Sequence, residues 1–551
     1  MTRRITLSIA GKEAQATAAT PIGKLLREHT EAGDDLVAAL VNNNILGLDE
    51  AVTYDATVAP IRLTDPLATR IYRRTLCFVL AMASRQVFPD RRLVIGHALG
   101  KGYYYEYADG SPPTEKDVAD LKSALHGIVD GNTPIESYHL SYDRAIELFE
   151  EEGFPDTALL LRHRNAPSVP ISSCGNYVDL NHGPLLPKTG QLRAFDIVAH
   201  GAGLVLRYPP AGGPMQIGPF DPSPLLFDIY QEYKRWGRVL ELHSVGRLNE
   251  VVRRGHAHDY IQIAEALHAK KIARIAEVIS ERESQPRLVL IAGPSSSGKT
   301  TFTKRLAIEL RVLGYTPEIL SLDDYFLPRD LTPKDEEGNY DFESLRALDV
   351  DLLNDDLLAL FAGQERLIPQ FDFKTGARKS PGRPMILPER GILLVEGIHA
   401  LNGDLTSRIG PELKHTVYVS ALTQLNLDDH NRISTTDNRL IRRMVRDHQF
   451  RGHTAEATLD MWPSVRRGED KNIFPFQDHA DSAFNSALDY ELAVLKAFAE
   501  PLLGEIKPKH DKYHEARRLL SFLSNFVGIP DNVVHGTSIL REFIGRSDFK
   551  Y

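Results

Sequence analysis

The apolar positions of this chain fall into short, differently spaced runs. Ile5-Thr-Leu-Ser-Ile9 alternates with the period of a half-buried strand, and Ala59 to Leu63 reads as another. Between them, Thr20-Pro-Ile-Gly-Lys-Leu-Leu26 looks like a capped helix start. Val37 to Val41 is apolar, and Asn42-Asn-Asn44 supplies residues that tolerate positive φ. Arg74 to Phe88 repeats apolar residues at helical spacing and is stopped by Pro89. Leu242 to Val252 predicts a helix, and Ile261 to Ile279 a long amphipathic one, with Ile261, Leu267, Ile272, Ile275 and Val278 on one side. Leu288-Val-Leu-Ile-Ala292 and Gly391-Ile-Leu-Leu-Val395 are continuously apolar, the mark of strands buried on both faces of a parallel sheet. A helical pattern runs from Thr301 to Leu313, another lies near Tyr513 to Val527, and Ser538 to Gly545 is amphipathic, suited to docking on the preceding domain.

These patterns predict an α/β protein in several units. They are a small N-terminal unit (1–65), an α+β unit (66–235), a helical connector (236–285), a domain with a parallel sheet flanked by helices (286–505) and a helical tail (506–551). The 551 residues suit three or four domains at roughly 150 residues each. With 42% hydrophobic and 25% charged residues, the chain reads as an ordinary globular protein. A net charge of −9 argues against nucleic acid as a partner. Cys77 and Cys174 are the only cysteines, too few for a disulfide framework, so a reducing, cytoplasmic setting is expected. The N-terminal residues lack a signal-peptide core, and no apolar run approaches the ~20 residues of a membrane helix.

The segment most specific in its chemistry is Gly293-Pro-Ser-Ser-Ser-Gly298-Lys299-Thr300, which fits G-x-x-x-x-G-K-[ST]. A strand delivers the chain into a glycine-rich turn, and the following helix aims unpaired N–H groups at an anion. An ordinary Gly/Ser turn before a helix is the bland alternative. In the phosphate-loop reading, Gly293, Ser295, Ser296, Ser297, Gly298, Lys299, Thr300 and Thr301 cradle the phosphates of ATP. Lys299 holds the β/γ-phosphates, and the Thr300 hydroxyl binds Mg²⁺. Downstream, Ile319-Leu-Ser-Leu-Asp323-Asp324 and Val395-Glu396-Gly397 place carboxylates at strand ends, where open α/β folds bind ligands. A carboxylate there can deprotonate an acceptor hydroxyl or hold Mg²⁺.

Asn339-Tyr-Asp341-Phe342, Gln370-Phe371-Asp-Phe373-Lys-Thr-Gly376 and the basic segment Arg439 to His453 follow in order. With the phosphate loop and the two acidic strand ends, they make residues 285–505 resemble the uridine kinase family, a relative of phosphoribulokinase. That family phosphorylates the 5′-hydroxyl of uridine or cytidine with ATP and Mg²⁺. The resemblance implies Asp323 as catalytic base, acting with Lys299, Arg443 and Arg446. It places Asp341, Phe371, Phe373 and Arg446 at the acceptor, Arg451 at the nucleotide, and Thr300, Glu396 and Asp323 around the metal. The arginines are implied to sit on a mobile lid; the plainer reading is a solvated basic helix face. Gly376 stands where the family has a base-contacting His, and His453 where its lid has a final Arg, which leaves base specificity open. Trp462-Pro463 and Asn472 to Phe476 either shape the acceptor pocket or merely pack.

The first 65 residues, with VNNNILGLDEAV at 41–52, resemble the TGS domain, a β-grasp module found in threonyl-tRNA synthetases and some GTPases. Their net charge of −3 disfavours gripping RNA. Phe88-Pro-Asp90 and Asn181-His-Gly183-Pro184 make residues 66–235 resemble the second, editing-type domain of threonyl-tRNA synthetases. In that family two helix histidines and a Cys/His pair beside the Gly-Pro form the editing site. Here those positions hold Arg74, Phe78, Asn181 and Leu185, which implies the fold without the chemistry. His97, His182 and Cys174 are either a rebuilt metal site or separate structural residues. Tyr103-Tyr-Tyr105 either stacks on a base or fills a core and one solvent face.

The expected function is an ATP-dependent nucleoside kinase, a possible homo-oligomer. One alternative is a kinase of the same fold for another small hydroxyl acceptor, such as a sugar phosphate. Another is an RNA-linked regulator using the loop as a switch.

Overall fold

The computed structural model describes residues 3–31, 33–211, 215–282, 286–334, 338, 340–372 and 375–551. The N-terminal sheet has strand order Lys12–Thr17, Arg4–Ile9, Ala56–Arg62, Leu36–Val41, Asn44–Leu46, with its first and last long strands paired parallel at its centre. Helix Ile22–His29 buries Ile22, Leu25 and Leu26 on this sheet, the arrangement of a β-grasp. Asn42 and Asn43 adopt φ of 45° and 59°, as the turn required. The expected cap does not form. Thr20 donates its hydroxyl to the Thr17 carbonyl instead, 2.8 Å away. The first-turn amides of Ile22 and Gly23 donate to the carbonyls of Glu50 and Leu48, so the VNNNILGLDEAV loop does the capping.

Two antiparallel sheets and the helices Ala68–Val87 and Glu115–Asp130 build the next unit. Strand Gly102–Tyr107 carries the tyrosine triplet, but neither face is open to solvent. Tyr105 joins the main core, while Tyr104 packs with Phe227 and Tyr230 of helix Pro224–Val239, which covers the other face. That corrects the expected solvent face. Helix Ala257–Glu281 then lies on helix Lys299–Val312, where buried Glu265 accepts from the Tyr490 hydroxyl at 2.7 Å and pairs with Arg305.

The fourth sheet is wholly parallel, in the order Thr316–Ser321, Gly391–Glu396, Leu288–Ala292, Lys414–Ser420, Ser482–Asn485. Leu288 to Ala292 and Gly391 to Val395 are buried throughout, as continuous apolar runs dictate. Among the described residues no helix is long and apolar enough to cross a membrane.

Candidate functional site

The phosphate loop leaves the central strand of the parallel sheet and enters helix Lys299–Val312. Gly293 has no alternative: a Cβ there would collide with the Val419 carbonyl of the neighbouring strand. Gly298 takes φ of +83° and Ser296 +58°, the left-handed turns that aim the helix N-terminus inward. Among the described residues the buried Ser296 and Ser297 hydroxyls have no hydrogen-bond partner of their own. The Lys299 ammonium folds back on the carbonyls of Gly293 (2.8 Å) and Pro294 (3.2 Å). Crowding by protein lowers its pKa, while Glu396, Glu542 and Asp323 pull it back up.

Around that ammonium stand the acids expected from the strand ends. The Thr300 hydroxyl donates to Glu396 Oε1 at 3.2 Å, which sets a hydroxyl beside a carboxylate, a donor pair suited to Mg²⁺. Loss of hydration pushes the Glu396 carboxyl up to about 7, against the pull of Lys299. Asp323 follows strand Thr316–Ser321 on a short 3₁₀ turn and keeps access to water. The protein around it still raises its carboxyl, opposed by Lys299, Arg451 and Arg446. Its neighbour Asp324 accepts from the Phe371 N–H at 3.3 Å, which ties this turn to an acceptor motif.

Helix Thr435–Arg451 supplies the arginines, and it is no solvated face. Arg439 is 1% exposed and Arg442 fully buried. Arg442 donates through Nε to Glu491 (2.8 Å) and through its other nitrogens to the Ser296 and Ser486 carbonyls. Arg439 pairs with Glu469 and donates to the Ser295 carbonyl at 3.0 Å. The helix is therefore fastened to the phosphate loop. Arg443 reaches the Ser295 hydroxyl at 2.7 Å, and Arg443, Arg446 and Arg451 share the buried carboxylate of Asp447.

The structure thus brings Lys299, Thr300, Asp323, Glu396, Arg443, Arg446 and Arg451 to one end of the sheet. The acceptor motifs meet through Phe326, whose ring lies 6.3 Å from Phe342 and 5.7 Å from Phe371. Asp341 sits on the same segment as Phe342, its N–H donating to the Pro333 carbonyl at 2.7 Å. Phe373 lies outside the described residues. Three acids escaped the sequence reading. Glu343, pushed up to about 7 by burial and by Glu469, feels Arg443, Asp323 and Lys299. Glu469 accepts from the Ser295 N–H at 2.9 Å, and Glu542 accepts at Thr301. Glu343 follows Asp341 by two residues and was within reach of motif reading; Glu469 and Glu542 carry no local signal.

In the second unit, Arg74, Phe78, Asn181 and Leu185 do line one cavity, together with His182. It measures about 10 Å³, room for about one water molecule and not for an aminoacyl ester. The Arg74 guanidinium lines it and donates to the Pro184 carbonyl at 3.2 Å; burial lowers its pKa to about 10. From outside, the segment after strand Lys414–Ser420 closes it. Asp428 lies 2.9 Å from His182 Nε2, and His430 lies 2.8 Å from Asp179. Burial works against the charged imidazole of His430, yet Asp179, Asp428 and Asp429 raise it to about 9. His97 is held by the Ala98 carbonyl and the Thr435 hydroxyl, and Cys174 is a buried free thiol. Among the described residues no group of three or more His, Cys, Asp and Glu is placed to hold a metal ion.

Comparison with known proteins follows the same division. Residues 288–493 match the model of the Phosphoribulokinase / Uridine kinase family, which supports a P-loop kinase domain in this part of the chain. The N-terminal region is similar to threonine–tRNA ligases. That of Syntrophotalea carbinolica is 32% identical over 165 residues, 30% of this chain and 26% of that one. That of Syntrophomonas wolfei is 29% identical over 173 residues, with 30% and 26% covered. The chain spans about a quarter of the length of these curated relatives. A solved structure described as a possible uridine kinase from Bacillus stearothermophilus is 20% identical, covering 39% of this chain and 98% of that one, with a TM-score of 0.25.

Proposed function

We propose that this chain transfers the γ-phosphoryl group of ATP to a hydroxyl of a small molecule, a nucleoside 5′-hydroxyl being the first acceptor to test. The observation that carries the reading is the meeting of Lys299, Asp323, Glu396 and Arg446 beside the phosphate cradle. The cradle fits a nucleotide: two residues bent to positive φ, partnerless buried hydroxyls at Ser296 and Ser297, and the Thr300–Glu396 pair for Mg²⁺. When bound, ATP supplies the phosphoryl group and Mg²⁺ screens its charge. The protein does the positioning. Lys299 leaves its loop carbonyls for the phosphates, and Thr300 and Glu396 hold the cation. Asp323 takes the proton of the acceptor hydroxyl. Arg443 and Arg446 neutralise charge that develops during transfer, and Arg451 completes that basic group. Asp341 holds other hydroxyls of the acceptor, while Phe371 packs against its ring.

One observation favours a charged acceptor, such as a sugar phosphate. Gly376, at φ of +69°, replaces the family's base-contacting His, and a Cβ there would meet Arg329 Nε at 3.0 Å. Arg329 lies over that position, so a guanidinium replaces an imidazole, a group that suits an anion. ATP consumption measured against uridine, cytidine, purine nucleosides and sugar phosphates decides between them. Turnover with a nucleoside supports the first reading; turnover with sugar phosphates alone replaces it with the second.

For the N-terminal units, proposed to extend over 1–65 and 66–235, we expect a regulatory or assembly role and no deacylase activity. The reason for the latter is that Arg74, Phe78, Asn181 and Leu185 stand at the editing positions and line a cavity of only about 10 Å³. The purified chain should leave mischarged tRNA intact, and release of amino acid above the uncatalysed rate would overturn this expectation.

A further inference from the structure

The segment beyond the parallel sheet ends on the phosphate loop. Ile539, Leu540, Phe543 and Ile544 are buried, and the Arg442 guanidinium stands 4.9 Å from the centre of the Phe543 ring. Arg541 donates to the carbonyls of Val534 (2.7 Å) and Asp531 (2.9 Å), which fixes the turn Arg541–Ile544. It lies so close that a Cβ on Gly298 would come 2.5 Å from Ile539 Cγ2.

From this turn Glu542 reaches the start of helix Lys299–Val312. Its Oε2 accepts from the Thr301 N–H at 3.1 Å and from the Thr301 hydroxyl at 2.7 Å. The Tyr551 hydroxyl lies 2.7 Å from the same Thr301 oxygen, and the Lys304 ammonium sits over the Tyr551 ring at 4.3 Å. The Thr301 N–H belongs to the first turn, whose unpaired amides favour an anion. A carboxylate of the chain itself therefore holds donors that the fold directs at phosphate. Both groups offer negatively charged oxygen acceptors. They cannot share these donors without bringing like charges to hydrogen-bond distance. Glu542 is only half-buried, so its side chain can turn outward while Phe543 and Ile539 stay packed.

We propose that Glu542 is a built-in competitor for the nucleotide's phosphates, occupying the anion position at Thr301 until a nucleotide displaces it. The proposal rests on the nucleotide reading of the loop. It makes the tail an autoinhibitory contact that sets the affinity of the site for ATP.

Titration calorimetry of the full chain with Mg·ATP and Mg·ADP tests it, on wild type, Glu542→Gln, Glu542→Ala and Lys299→Ala, with circular dichroism to confirm folding. Glutamine keeps an acceptor for Thr301 and removes only the charge. Glu542→Gln should bind Mg·ATP about 3- to 10-fold more tightly, the scale of one charge at a helix N-terminus. Glu542→Ala should shift the same way, and Lys299→Ala should bind more weakly. Unchanged or weaker binding by Glu542→Gln, beside a wild type that binds, overturns the competitor and leaves the nucleotide reading standing. A weaker affinity would instead mark Glu542 as a direct contact to the bound nucleotide. A wild type that binds neither nucleotide overturns both.

Discussion

Lys299→Ala will lower ATP-dependent turnover by about 10²- to 10³-fold while the chain remains folded. The scale is that of removing one preorganised electrostatic donor from a transition state. Two effects compete in this substitution. The first is loss of a cation amid Glu396, Asp323 and Glu542, which feel it in the folded protein. Without it the charged forms of Glu396 and Asp323 become harder to hold, since the ammonium opposes the rise of both carboxyls. The second is loss of packing, and this is small. Among the described residues the ammonium donates to the carbonyls of Gly293 and Pro294, and the buried core of the helix is carried by Phe302, Leu306 and Leu310. Electrostatics therefore dominates, and the defect belongs to activity and not to folding. Steady-state rates and circular dichroism on the same preparation check this. A variant with wild-type kcat/KM would remove the phosphate-loop assignment.

Legibility in the sequence followed locality. The phosphate loop is contiguous, and its glycine spacing, strand and helix lie within some twenty-five residues, so the motif and its frame are read together. Asp323 and Glu396 were legible because a continuous apolar run announces a buried parallel strand, and ligands gather at the ends of such strands. Other features depend on what arrives from elsewhere in the chain. Tyr104 looked half-exposed until helix Pro224–Val239 covered it. The cap of helix Ile22–His29 comes from the carbonyls of Leu48 and Glu50 and not from Thr20. Glu542 meets Thr301 across 241 residues, and Glu469 meets Ser295 across 174, separations that no periodicity encodes. The arginine helix was read as either a lid or a solvated face. Arg439 and Arg442 are instead buried ties to the loop, and Arg443, Arg446 and Arg451 gather on Asp447 at its open end. The same helix begins at Thr435, bound to His97, so the synthetase-like unit holds one end of the element that carries the kinase arginines.

Asp323→Asn should reduce phosphoryl transfer by about 10²- to 10⁴-fold, the usual scale for removing a general base. Asparagine keeps the size and the hydrogen bonding of the side chain and loses the basic oxygen. The position is open to water on the turn Leu322–Tyr325, so no core packing is disturbed. Nucleotide affinity should change little, because the loop Gly293–Thr300 is untouched and Lys299 keeps its other acidic neighbours, Glu396 and Glu542. The surrounding protein raises the Asp323 carboxyl, which makes it a better proton acceptor when ionised than an ordinary aspartate. Lys299, Arg451 and Arg446 limit that rise and keep the ionised form available. Asp341→Ala serves as the contrasting variant. It lies on the Tyr340–Phe342 segment, whose Phe342 packs on Phe326 with the acceptor motifs, so it should raise KM for the acceptor and leave the KM for ATP near wild type. The two variants thus separate chemistry from acceptor binding. If Asp323→Asn retains the wild-type kcat while Asp341→Ala loses it, the base is not Asp323. Glu343, two residues beyond Asp341, pushed up to about 7 by burial and sensing Arg443 and Lys299, would then be the carboxylate to replace.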